Sequence, residues 1–323
     1  MDIQHLFAHL TERGAIPGTS PVLDFSVSLS SNARVADAPD RAIVREADGN
    51  PIGVLFLANS VNPDLVARGV RNARSAKETL GAEEGAVILD PVVSGEYHGL
   101  SYALWPWCRS MSKSRYVAHM QRTLLRRTLF LWLRNVTART KHTASDGSTV
   151  RHYDEALNTL IALEELSAEI RDRVRDGISR LRSGMWEPYH VLEHNDFWIG
   201  NVMLDRRGFR VKQQAYPFYV IDWAGARTSG YPILDLVRMS DSSGASRRKL
   251  TREIHLHCGI LNCDTDDSVY YLLAALGYLR STQEHFPMRR YTTVCHRMYT
   301  TLTAALGNGL SGGYYNHGGT RSA

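Results

Sequence analysis

Alternation of apolar and polar positions dominates the first hundred residues. The tracts VLDFSVSLS from Val22, RAIVRE from Arg41, PIGVLFLA from Pro51, AVILDPVV from Ala86 and GLSYALWPW from Gly99 are short and rich in β-branched and aromatic residues. Turn formers bound each of them, which is the pattern of strands. The tract ADGN at 47–50 reads as a hairpin turn, because Asp, Gly and Asn tolerate the backbone angles of a tight reversal. Asn62-Pro63-Asp64 opens a helix expected to run to Leu80 and to close at Gly81. An antiparallel sheet with one inserted helix is the expectation for this part.

After Trp107 the period changes from two to that of a helix. Val117, Met120, Leu124, Leu125, Phe130, Leu131 and Leu133 predict a long helix over 112–136 with these residues on its apolar positions. The polar stretch KHTASDGST predicts a loop, followed by a single helix from Tyr153 to Arg182 that Gly184 ends. Short strands and polar loops are expected over YHVLEHNDFWIGNVMLD, the basic pair around RRGFRVKQQ, and FYVIDW. The rest reads as helical, with a mobile tail from Gly307.

Length and composition narrow the class. At 323 residues, with 43% hydrophobic and 22% charged residues, the chain has the makeup of a globular protein of one large domain or two lobes. Its start lacks a secretory pattern and no window offers eighteen uninterrupted apolar residues, so a cytoplasmic protein with no transmembrane segment is expected. The four cysteines are too few and too scattered for a disulfide framework. His255, His257, Cys258 and Cys263 follow no usual zinc spacing and read as helix-borne structural residues. The net charge of +5 favours anionic partners. Between Tyr97 and Ser145 there is no acidic residue, and Arg115, Arg122, Arg126 and Arg134 share one side of the expected helix. A solvated face is the plain reading; a border to an anionic acceptor is the sharper one. No nucleic-acid-binding motif accompanies the charge, so nucleic acid is not an expected partner.

The chemistry concentrates in His194-Asn195-Asp196-Phe197-Trp198-Ile199-Gly200-Asn201 and in Phe218-Tyr219-Val220-Ile221-Asp222-Trp223. Phosphoryl transfer needs a carboxylate that orients or deprotonates the attacking hydroxyl, and oxygen ligands that hold magnesium against the phosphates. Asp196 can supply the first, and Asn201 with Asp222 the second, since hard oxygen donors suit Mg2+ and one or two protein ligands suffice. Asp and Asn in loops are more commonly turn formers or caps. An H-x-D-x4-N segment followed some twenty residues later by an apolar strand ending in Asp-Trp is far less commonplace. His194 is read as bracing the loop through hydrogen bonds.

HNDFWIGN, VIDWAGA and GYPILDL together resemble the aminoglycoside phosphotransferase and choline kinase family. The resemblance implies an α+β, two-lobed protein-kinase-like fold: a small antiparallel-sheet lobe with one helix over 1–107, which binds nucleotide, and a larger, mainly helical lobe over 108–323, which carries the catalytic loop and acceptor site. It makes Asp196 the catalytic base, Asn201 and Asp222 the Mg2+ ligands, and Asp235 a structural residue, which agrees with reading it as a helix cap after Pro232. ATP is the implied phosphate donor, with GTP possible. The acceptor would be a small hydroxyl-bearing molecule of the sugar, nucleoside, amino alcohol or glycan class, possibly anionic. Trp105 and Trp107 are candidate walls of the adenine pocket beside the Pro106–Cys108 linker; ordinary packing is the alternative for both.

The resemblance lapses at the phosphate grip. The family's strand lysine falls near Phe56 or Leu57, and its helix glutamate near Asn72 or Arg74. The loop from Ser28 to Asn32 has no glycine, which leaves Ser31 and Asn32 as candidate phosphate donors. Arg41, Arg45 or Arg74 is then expected to supply the missing charge, with Arg45 among the candidate nucleotide contacts. The alternative is a pseudokinase-like binding or scaffolding module without turnover.

Overall fold

The computed structural model describes residues 3–25, 38–204, 216–282 and 287–307. Ser31 and Asn32, the RRGFRVKQQ strands and the C-terminal tail lie outside them.

The chain is α+β. Helix α1 (Ile3–Glu12) precedes strands β1 (Val22–Asp24), β2 (Asp40–Arg45) and β3 (Pro51–Leu57), helix α2 (Leu65–Glu84), and strands β4 (Val93–Tyr97) and β5 (Leu100–Pro106). The five strands form one sheet in the order β1-β2-β3-β5-β4, with every neighbour antiparallel. Strand alternation gives this sheet two apolar faces. Val44, Ala42, Leu55, Leu57 and Leu104 pack with Ile3, Leu6 and Leu10 of α1. Phe56, Ala103 and Trp105 pack on the other face with Val66 and Val70 of α2.

Helix α1 is an addition to the expected sheet with one helix. Its spacing of Ile3, Leu6 and Leu10 carries the signal, and burying these three side chains contributes about 1.5–3 kcal/mol each before entropy. Helix α2 breaks at Gly81, where it was expected to close. That residue leaves the helical conformation (φ 72°, ψ −165°), and the helix then resumes to Glu84. The strand expected over AVILDPVV is instead a short 3-10 turn at Gly85–Val87 and an extended passage, and β4 begins only at Val93. Pro91 has no N–H to give to a ladder, which explains the late start.

Helix α3 (Arg115–Thr140) buries Leu125, Leu129, Phe130, Trp132, Leu133 and Val136. Val117, Met120, Leu124 and Leu131, expected on its apolar side, are exposed. They recur at intervals of three, four and seven residues, so the helix carries two apolar stripes and only one is packed. The single helix expected over 153–182 is two, α4 (Thr149–Ile161) and α5 (Ala168–Arg182). Ser167 divides them: its extended backbone (φ −60°, ψ 152°) and its hydroxyl, which accepts from the Ile170 N–H at 3.4 Å, cap α5. Gly184 follows α5 with φ 74°, as a terminator should.

Strands β6 (Val191–Glu193), β7 (Val202–Leu204), β8 (Phe218–Val220) and β9 (Arg227–Gly230) follow, pairing β6 with β9 and β7 with β8. Helices α6 (Leu234–Ser243), α7 (Arg247–Leu261), α8 (Asp267–Thr282) and α9 (Met288–Gly307) complete the chain. Asp235 is the second residue of α6, within its first turn, and Ile233 holds the cap position; Asp235 thus meets the helix N-terminus from inside.

By internal contacts the chain divides into two compact units, residues 1–140 with 192–230, and 141–191 with 231–323. In the second, α8 is buried along almost its whole length and packs on α4 and α5. Trp186 sits within 5.3 Å, 5.5 Å and 5.3 Å of the Tyr153, Tyr270 and Tyr271 ring centres. The four cysteines are unbridged, and His257 and Cys258 are buried on α7. Among the described residues no three His, Cys, Asp or Glu side chains converge as a metal cage, and no helix is long and apolar enough to cross a membrane.

Candidate active site

All three carboxylate and amide candidates fall in the first unit, on loops fixed by a buried base. Under the loop lie Trp132 of α3, Phe197 and Phe218, with ring centres 5.3 Å (Trp132–Phe197) and 6.2 Å (Trp132–Phe218) apart. The Trp132 Nε1–H donates to the Glu84 carbonyl at 3.0 Å, which ties α3 to the end of α2. The Leu192 N–H donates to the Thr140 hydroxyl at 2.8 Å, so the loop leaves from a bonded anchor.

His194 braces the loop, as its position in the motif suggests. Its Nε2 lies 3.0 Å from the Ile221 carbonyl, and its Nδ1 accepts from the Asp196 N–H at 3.3 Å. The two contacts set a proton on Nε2 toward the Ile221 carbonyl and the Nδ1 lone pair toward the Asp196 N–H. The ring also stands edge-on to Trp223, 4.6 Å between centres. One side chain therefore joins the strand end before Asp222 to the residue that precedes it in the mechanism's logic, Asp196.

Asn201 is buried, and its Nδ2 donates to the Asp196 carbonyl at 2.9 Å and to Asp196 Oδ2 at 3.1 Å. Its backbone carbonyl accepts from the Ile221 N–H at 3.0 Å. Asn201 thus orients Asp196 with its amide nitrogen and keeps its amide oxygen for another partner. Asp196 is exposed. Asp222 is also open to solvent, yet the protein crowding around it raises its pKa: desolvation first, with the Asp196 charge adding to the rise and His194 and Arg41 opposing it. Asn195 (φ 67°) and Asp222 (φ 67°, ψ 60°) both occupy the left-handed region, a conformation that costs energy in a residue with a side chain and clusters at functional sites.

Two carboxylates and an amide oxygen, with one carboxyl resisting ionisation partly because of the other, make an oxygen-only donor set that a hard divalent cation would fit.

Other expected residues fall elsewhere. Arg45 is at the β2–β3 hairpin, where its Nε donates to Asp24 Oδ2 at 2.6 Å and its Nη1 to the Gly49 carbonyl at 2.9 Å. Trp105 is part of the α2 cluster, which is a packing role, and Trp107 donates its N–H to the Ile52 carbonyl at 2.9 Å. Arg74 is exposed on α2.

Two contacts, of residues whose positions were already candidates, and one exposed ring were not read from the sequence. Asn72, at the place of the missing glutamate, donates from Nδ2 to the Ala224 carbonyl at 3.0 Å and so binds α2 to the turn after Asp222. Trp198 is 44% exposed, and a Cβ on Gly200 would lie 2.3 Å from its ring, so glycine is required there. Arg41 acts electrostatically on Asp222. The spacing of the motif could have pointed to Trp198; the other two depend on strand pairing and helix docking.

Comparison with solved structures gives the fold. The GDP and kanamycin complex of APH(2")-IIia matches with a TM-score of 0.53 at 13% identity, over 95% of this chain and 99% of that one. Choline kinase LicA from Streptococcus pneumoniae matches with a TM-score of 0.52 at 11% identity, over 93% of this chain and 98% of that one. Comparison with curated proteins gives no match. The sequence profile of the Ecdysteroid kinase-like family matches residues 64–246, more than half of the chain and the whole of the site just described. The chain belongs to the Ecdysteroid kinase-like family and has the protein-kinase-like fold of the aminoglycoside phosphotransferases and choline kinases.

Proposed function

We propose that this protein transfers the γ-phosphate of ATP or GTP to a hydroxyl of a small molecule. The observation that carries the reading is the bonded set Asp196–Asn201, with Asp222 held beside it through the His194–Ile221 bridge, in a chain of this family. Asp196, exposed and oriented by the Asn201 amide, acts as the base that accepts the acceptor's proton. Asn201 and Asp222 hold Mg2+, whose charge, when bound, neutralises the phosphate oxygens of the donor. Lowered proton affinity at Asp222 is expected once a cation replaces the repulsion it feels from Asp196.

The acceptor is a hydroxyl compound of the sugar, nucleoside, amino alcohol or glycan class, and the family's description adds an ecdysteroid to the compounds to be screened. Incubation with labelled ATP or GTP and such a panel should give a phosphorylated product with the native protein and none with Asp196→Ala. Product formation undiminished in Asp196→Ala would overturn the assignment of the base.

A second reading, a binding module without turnover, is favoured by Phe56 and Asn72 at the places of the family's lysine and glutamate. It predicts nucleotide binding without product for any acceptor in the panel.

A further inference from the structure

Resting on that kinase reading, we infer that Arg41 of β2 is the phosphate-gripping cation of this protein, in place of a lysine on β3. The argument begins with strand register. Arg41 pairs directly with Phe56, the residue at the position where the lysine is expected. Directly paired residues in a sheet project on the same face, with side chains about 5 Å apart at Cβ. Phe56 points to the face covered by α2, where it packs with Ala58, Val66, Val70 and Ala103. Arg41 therefore belongs to that face, one strand over, near the exposed end of β2 where the burial of Ala42, Ile43 and Val44 gives way.

That face is the one joined to the catalytic carboxylates. Helix α2 docks on the turn after Asp222 through the Asn72–Ala224 bond, and Gly69 also faces Ala224 across this contact. An arginine is longer than the lysine it would replace and offers a planar fork that matches phosphate geometry, which suits it to act from the neighbouring strand. Phe56 can then keep to packing on α2.

The competing cations have other placements. Arg45 is engaged by Asp24 and the Gly49 carbonyl at the hairpin. Arg74 lies two residues beyond Asn72, about 200° around the helix from the side chain that faces the Asp222 turn.

Calorimetry of the full chain with Mg2+ and ATP, GTP or adenosine tests the inference on native protein, Arg41→Ala, Arg41→Lys and Arg74→Ala. The expected result is a loss of about 10- to 100-fold in triphosphate affinity in Arg41→Ala, with adenosine binding unchanged and partial recovery in Arg41→Lys. The adenosine control separates loss of a phosphate contact from loss of folding. Triphosphate affinity unchanged in Arg41→Ala, or lost instead in Arg74→Ala, would overturn the assignment of Arg41 while leaving the kinase reading intact. Native protein that binds neither triphosphate would overturn the kinase reading itself, and this inference with it.

Discussion

The candidate-site loops of the first unit and the aromatic cluster of the second are made on opposite terms. In the cluster the buried tyrosines have their oxygens matched: the Tyr153 hydroxyl donates to the Tyr189 carbonyl at 2.6 Å, and the Tyr271 oxygen accepts from the Tyr189 N–H at 3.0 Å, while the Trp186 indole contributes packing. Burial raises the pKa of Tyr271 far beyond its ordinary value, so that phenol stays neutral. Around Asp222, in contrast, two carboxylates repel each other, two residues hold left-handed backbone and the side chains that carry charge are open to solvent. A region of packed rings with matched phenols serves the fold. Repulsion and strain gathered in one place are what a ligand-binding site would keep, and we read the Asp222 region in that way.

Substitutions can break this contrast. The largest effect is expected in Asp196→Asn, which should slow phosphoryl transfer about 10²- to 10⁴-fold while nucleotide affinity stays within a few-fold, measured by product formation beside calorimetry. An equal fall in affinity would mean that Asp196 serves binding and not proton transfer. In the other region, Trp186→Ala should cost about 3–5 kcal/mol in urea denaturation, because a large, almost fully buried ring leaves a cavity among Tyr153, Tyr270 and Tyr271. A loss below 1 kcal/mol would show that the cluster is not the core of its unit. Gly277→Ala should cost about 1–3 kcal/mol in the same assay, since a Cβ there would stand 1.9 Å from the Ala156 carbonyl and force α8 away from α4.

The smallest expected effect sharpens the comparison most. Asp222 binds its proton more tightly in the native protein than in the unfolded chain, because its native pKa is raised. The stability that this protonation contributes is full below the ordinary carboxylate pKa and is lost as pH rises through the native value. Asp222→Asn removes the cost of ionisation, so without metal it should melt a few degrees higher than the native protein at pH 7. That advantage should vanish in acid below the ordinary carboxylate range. A lower melting temperature at pH 7 would contradict the view that Asp222 is held against its own stability.

The site was more legible in the sequence than the scaffold around it. Asp196, Asn201 and Asp222 could be picked out as candidates because they sit at fixed local spacing, and the apolar run before Asp222 marks the end of a strand that the structure bears out. The β2–β3 hairpin was legible for a similar reason, in the turn formers at 47–50 between two alternating runs. Ser167 was passed over because an N-cap inside a polar, helix-favouring stretch looks like continued helix until its backbone is seen. The exposure of Met120 and Leu124 escaped because periodicity tells which residues share a stripe, not which stripe finds a partner. Arg41 was one of three candidate cations in the sequence, but the register that sets it beside Phe56 and the docking of Asn72 on Ala224 join segments 15 and 152 residues apart, which no local pattern encodes.

The central claim is that Asp222 holds a divalent cation against nucleotide phosphates. Calorimetric titration of ATP and GTP into native protein and Asp222→Ala, with and without Mg2+, tests it most directly. The account predicts triphosphate binding that requires Mg2+ in the native protein and is lost in Asp222→Ala. Binding that is indifferent to Mg2+, or that survives in Asp222→Ala with its Mg2+ dependence intact, would contradict it.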